Sequence, residues 1–237
     1  MKKIILYHCY VFLIILSFSG CNNCRQGSGN ITTMSRPVNS FNSIKIDGSF
    51  FVTLRKDTVS KVEVITDENL QSDVLTYVYG NTLTVETNSE RCIRKASIMH
   101  ITISAPSFNK IELRGSGNIT GLDTIPGDYL QVVSEGSGDI TLTAKAIDIN
   151  VSIRGSGHTE LYGTTASLSE KIDGSGSIQA FGLNASTANA NITGSGLIET
   201  RVSSTLNASV NGSGNITYAG NPTVSSHVKG SGSVTHQ

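Results

Sequence analysis

From Lys110 onward apolar and polar residues alternate over short runs, and the runs break at a recurring Gly-Ser-Gly. The triplet begins at Gly115, Gly136, Gly155, Gly174, Gly194, Gly212 and Gly230, in steps of 21, 19, 19, 20, 18 and 18 residues. Four residues after each first glycine stand Ile119, Ile140, Thr159, Ile178, Ile198, Ile216 and Val234; two before it stand Leu113, Ser134, Ile153, Ile172, Ile192, Val210 and Val228. Farther out, Ile111, Val132 and Val151 on one side and Leu142 and Leu161 on the other keep the period of two, so each flank reads as a strand with one buried face. Each repeat is therefore strand, bend, strand. Such a unit cannot bury its apolar face alone, but stacking successive turns lays each apolar column on itself and makes a continuous core. The pattern predicts an all-β parallel β-solenoid, and seven turns at ~4.8 Å make a rod roughly 30 to 35 Å long.

The position before each triplet tests the stacking, because it reads Arg114, Glu135, Arg154, Asp173 in consecutive turns. Alternating charges on adjacent parallel strands pair, each exposed pair contributing about 0.2 to 1 kcal/mol and disfavouring a slipped register. The triplets themselves are expected to be corners, where glycine takes φ > 0 without steric cost and serine bonds locally or to the next turn.

Residues 35–104 are less regular. "IKIDGSFFVTL" at 44–54 repeats the frame with Phe50 in place of the second glycine. Strands are expected at 61–66, 81–87 and 98–104, and a short helix at 67–75 capped by Asp67. This reads as the N-terminal half of one continuous solenoid with larger excursions, a domain spanning 36–237. Residues 21–35 are polar and lack alternation, which predicts a flexible tether.

Lys2 and Lys3 precede an apolar run from Ile4 to Phe18, which reads as a secretory signal over residues 1–20 and is short for a membrane span. "FSGC", ending at Cys21, resembles a bacterial lipobox, in which the cysteine is acylated and becomes the mature N-terminus. The expectation is an exported lipoprotein held to a membrane, outer rather than inner, by its acyl chains. Cys9 leaves with the signal, so Cys24 and Cys92 are the two cysteines able to pair in an exported compartment; the sequence leaves open whether they do. With 18 basic and 18 acidic residues, nothing in the overall charge balance favours nucleic acid or an anionic membrane surface.

"RPVNSFNSIKIDGSFFVTL", "VEVITDENL", "NTLTVET", "ITISAPSFNKIELRGSGNI" and the later triplet turns together resemble the auto-transporter adhesin head GIN domain family, over about residues 36–237. The resemblance implies exported proteins and lipoproteins common in Bacteroidetes, with a right-handed β-helix fold. It assigns no catalytic residue.

Rival chemistries fit the residues less well. "GSGNIT" leads into a β-branched strand and carries no P-loop lysine, against a phosphate-binding loop. The position after each triplet holds Asn118, Asp139, His158, Ser177, Leu197, Asn215 and Ser233, too few carboxylates for a calcium ladder. Glu160 and Glu199 share a column two turns apart, roughly 10 Å, at or past the limit for an inverting carboxylate pair. His100, His158, His227 and His236 show no ligand spacing. No cofactor and no metal are expected. Thr120, Thr141, Thr217 and Thr235 recur on an outward column beside Glu and Gln; the simpler reading is that threonine suits an exposed strand position, and the other is a flat hydroxyl-rich surface that accepts glycans or a protein partner through many weak hydrogen bonds. The expected function is a lipid-anchored, adhesin-like display protein without catalytic activity. The alternatives are a structural or assembly lipoprotein facing the periplasm and, third, a carbohydrate-active β-helix enzyme.

Overall fold

A computed structural model describes residues 24–237. The expected signal segment and Cys21 lie outside the described residues. The first half of the chain is built of short strands: β1 (Arg25–Gln26), β2 (Ile31–Arg36), β3 (Ser43–Asp47), β4 (Phe51–Lys56) and β5 (Lys61–Asp67), then the 3₁₀ helix η1 (Glu68–Asp73), then β6 (Val74–Tyr79), β7 (Thr82–Thr87), β8 (Ile93–Lys95), β9 (Met99–Ala105) and β10 (Lys110–Gly115). The second half is five extended segments that each wrap a whole coil, β11 (Asn118–Gly136), β12 (Asp139–Gly155), β13 (His158–Gly174), β14 (Ser177–Gly194) and β15 (Leu197–Gly212). The next coil divides into β16 (Asn215–Ala219) and β17 (Thr223–Gly230), and β18 (Ser233–His236) stacks on β16.

From β10 to β18 every neighbouring pair is parallel, and the triplets stay in register: Gly115 lies opposite Gly136, Gly136 opposite Gly155, and so on to Gly230 opposite Gly212. The fold is an all-β solenoid. Its apolar columns face inward, so Ile111, Val132 and Val151 stack on one side and Ile119, Ile140 and Ile178 on the other, all essentially without solvent exposure. One hydrophobic cluster runs unbroken from Phe41 to Ile216.

The N-terminal half departs from sequential stacking. The β3–β4 coil lies directly against β10 and β11, while the later segment carrying β7 and β9 packs on its opposite side. The chain thus passes to the outside of its own first coil and then returns. The outermost strands are antiparallel, β6 on β7 and β5 on β9, with β2 covering β5.

Two expectations are corrected here. Residues 24–35 are not a free tether: β2 pairs with β5 from Ile31 opposite Asp67 to Arg36 opposite Val62, β1 pairs with β8, and Cys24 is bonded to Cys92 across a Cα–Cα distance of 4.3 Å. Pairing satisfies backbone groups at the edge of β5, which outweighs the polar composition of this stretch. The element after Asp67 is a 3₁₀ turn without a side-chain cap. Asp67 is turned away from it, accepting hydrogen bonds from Gly29 N–H at 2.7 Å, Ser97 N–H at 2.7 Å and the Ser97 hydroxyl at 2.9 Å.

Candidate functional site

Gly155 illustrates what a corner requires. Its φ is +120°, and a Cβ there would lie 2.5 Å from the Gly136 carbonyl oxygen of the coil before. Side chains are thus excluded twice, by backbone conformation and by the approach of the neighbouring coil. Gly115, Gly136, Gly174, Gly194, Gly212 and Gly230 share the positive φ and the same crowding. Six of the seven serines bond between coils through their backbone, Ser156 N–H to Gly136 O at 2.8 Å being typical. At six of the seven triplets the corner's backbone donors are thus taken up by the preceding coil.

Along the pre-triplet column the charges meet as Arg114, Glu135 and Arg154. Arg114 Nε lies 3.3 Å from Glu135 and Arg154 Nη1 2.7 Å from it. Arg154 is opposite Asp173 in register, but Asp173 takes Lys171 of its own strand at 2.8 Å. At the other end Arg114 also holds Glu112, which Lys110 contacts too. Burial pushes the Glu112 carboxyl up, and the two cations outweigh it, leaving it below the usual value.

The post-triplet face carries the hydroxyl column. In register it reads Thr102, Thr53, Thr120, Thr141, Glu160, Gln179, Glu199, Thr217, Thr235 across nine adjacent strands. Glu160 and Glu199 are indeed separated by Gln179, and Glu160 is engaged by the Tyr162 hydroxyl, which raises the phenol's pKa. On the opposite face Asn189 and Asn207 form an amide ladder, Asn207 Nδ2 donating to Asn189 Oδ1 at 2.9 Å. Beside the post-triplet face a groove of about 560 Å³ is lined by Thr164, Asn184, Ser186, Arg201, Ser203 and Asn221. It opens where β14 bulges relative to β15, between Ala180 and Asn184.

Three features were not anticipated from the sequence. Glu170 is fully buried in the solenoid interior, and neither carboxyl oxygen has a hydrogen-bond partner among the described residues. Burial drives its pKa to about 8, with nearby Thr200 offsetting a little of the shift. Asp73 is buried and held by Arg25 at 2.9 Å and Arg91 at 2.8 Å. Asp67, fixed mainly by the Ser97 N–H and against the cost of burial, has its pKa lowered. An acidic residue at an inward position of the alternation signals Glu170; Asp67 and Asp73 have no sequence signal, because their partners are 18 to 48 residues away. Among the described residues there is no group of three His, Cys, Asp or Glu able to hold a metal.

The coil geometry has a counterpart in sequence. Residues 40–222 match the family described as "Putative auto-transporter adhesin, head GIN domain". The chain belongs to this family. A crystal structure of an adhesin-like protein from Bacteroides fragilis is 27% identical and superposes with a TM-score of 0.86, covering 90% of this chain and 100% of that one. A protein of Parabacteroides distasonis described as lipid binding is 25% identical with a TM-score of 0.74, covering 90% of this chain and 99% of its own. A Parabacteroides merdae adhesin-like structure, at 23% identity and a TM-score of 0.70 over 91% of this chain and 99% of that one, shares the fold. No sequence among the curated proteins matches the chain. The family's adhesin-like character is thus attached to an unbroken solenoid in which hydrogen-bonding columns run the length of the stack.

Proposed function

We propose that the protein is a non-catalytic, adhesin-like display module, lipid-anchored through Cys21 in the cell envelope. The observation that carries this reading is the post-triplet column of threonine, glutamate and glutamine side chains, held in one register over nine strands. A ligand lying along the stack meets a donor or acceptor about every 4.8 Å, so many weak contacts add up without a deep pocket. Such a face suits an extended glycan or a protein partner, and its rigidity means that little ordering cost falls on the receptor.

Two experiments test it. Protease shaving of intact and permeabilised cells should remove the protein from both; loss only after permeabilisation would sink surface display and leave the periplasmic assembly role. On a glycan array the protein should bind extended polymers better than their short fragments, and replacing Thr120, Thr141 and Thr217 with alanine should weaken that binding. Turnover of any polysaccharide would instead return the enzyme reading.

A further inference from the structure

The start of the described chain is fastened to one particular place on the fold. Cys24 is bonded to Cys92, and β1 runs along β8 with Arg25 opposite Ile93 and Gln26 opposite Lys95. Only two residues, Asn22 and Asn23, separate Cys21 from Cys24, and the three Cα steps span at most roughly 11 Å. An acyl group on Cys21 therefore brings the surface around β8 to the bilayer, so the chemistry of that surface matters.

It is both cationic and apolar. Phe51 is 60% exposed and, with Ile98 and Met99, borders a depression of about 460 Å³ whose remaining lining includes Ser49, Arg94 and Lys95. Arg25 and Arg91 close by are already engaged by Asp73. Arg94 and Lys95 are exposed and have no carboxylate partner among the described residues. Exposed Glu90 follows Asn88 in the same loop, with its backbone N–H held by the Asn88 side chain. The first corner adds a further donor. Ser137, Ser156, Ser175, Ser195, Ser213 and Ser231 each give their N–H to a glycine carbonyl of the preceding coil, whereas the Ser49 N–H, like that of Ser116, has no backbone acceptor among the described residues.

We propose that this depression is a docking site for the phosphate headgroups of an anionic phospholipid surface, resting the N-terminal end of the solenoid on the membrane that carries its anchor. Arg94 and Lys95 meet phosphate, with the Ser49 N–H as an additional donor, while Phe51, Ile98 and Met99 reach the interfacial zone where aromatic and apolar side chains partition. Each cation near an anionic surface strengthens attachment about fivefold. The inference rests on acylation of Cys21, since a short tether is what turns two cations and an aromatic ring into a stable contact.

The chain contains no tryptophan, so a single introduced one reports its own surroundings. The test uses the full lipoprotein in vesicles of phosphatidylglycerol or of phosphatidylcholine. Phe51→Trp is the probe and Tyr218→Trp the control, six coil steps or roughly 29 Å farther along the stack. In phosphatidylglycerol, emission from Phe51→Trp should shift to the blue and be quenched by brominated acyl chains, while emission from Tyr218→Trp, already half-buried against the core and His236, should neither shift nor be quenched. Adding Arg94→Gln and Lys95→Gln should lower the docked-to-free ratio about 25-fold. Vesicle flotation separates the two layers of the argument. Protein that does not float overturns acylation and docking together. Protein that floats with a water-like, unquenched Phe51→Trp overturns docking alone. Equal burial in phosphatidylcholine, or burial unaffected by removing both cations, overturns the headgroup assignment.

Discussion

Glu170 stands opposite Val151 on one side and Ala190 on the other, inside an otherwise apolar column. With a pKa of about 8 it is a neutral acid at pH 7. The unfolded chain releases this proton near pH 4.5, whereas the folded chain retains it until about pH 8. Stability therefore falls as pH rises through that window, by about 3 kcal/mol at pH 7. Glu170→Gln should flatten this part of the profile, and Glu170→Val should raise stability at pH 7 by about 3 kcal/mol; thermal midpoints between pH 5 and 8 check both. If the parent and the glutamine variant keep parallel profiles, the burial argument is wrong. Gly155 belongs to the same scale. Gly155→Val forces a β-branched side chain to φ +120° and into the Gly136 carbonyl, which should cost about 3 kcal/mol or more. Gly80→Asn, at φ +59° with open space around it, should cost less than about 1 kcal/mol, and urea titration of both variants checks the difference. A Gly155→Val protein as stable as the parent but defective in binding would overturn the corner assignment.

At the scale of elements, the N-terminal end is held by pairings that the repeat does not supply. The Cys24–Cys92 bond closes a loop with a sequence separation of 68, and chain-entropy reasoning gives it about 4 kcal/mol. Cys92→Ser should lower unfolding stability by up to that amount, and amide exchange should accelerate first in β1 and β8, whose two-stranded sheet depends on the bond. Uniform acceleration across β11 to β15 would show that the end and the stack unfold as one unit. This end is also where sequence reading was weakest. Strands at 61–66, 81–87 and 98–104 were legible from alternation, and the structure has them at Lys61–Asp67, Thr82–Thr87 and Met99–Ala105. Their order was not, because alternation says which face is buried and nothing about which strand lies alongside. Asp67 shows the same limit: its position before a polar turn resembles a cap, yet its bonds go to Gly29 and Ser97, brought near only by tertiary folding.

For the whole molecule, near-identical coils make the stack quasi-one-dimensional, with stability distributed over nearest-neighbour contacts. Removing one complete coil, residues 156–174, should therefore leave a folded, shorter rod, since Ile140 then meets Ile178, Val151 meets Ala190 and Ile153 meets Ile192. The shortened protein should also lose the pH dependence that comes from Glu170. Circular dichroism and a cooperative melt check the first expectation, and removal of ten residues from the same coil should fail it by throwing the triplets out of register. From the triplet period, the flanking columns and the alternating charges, the sequence by itself determined the parallel stack, its register from Gly115 onward and the inward faces. It did so because a single register places every repeat's apolar positions over one another, leaving a pattern that is local and periodic. Tertiary structure alone decided the reversed strands at the N-terminal end, the passage of β7 and β9 outside the first coil, the Asp67 and Asp73 clusters and the basic depression beside β8. Each of these depends on segments far apart in the chain meeting once, and a contact made once leaves no period to read.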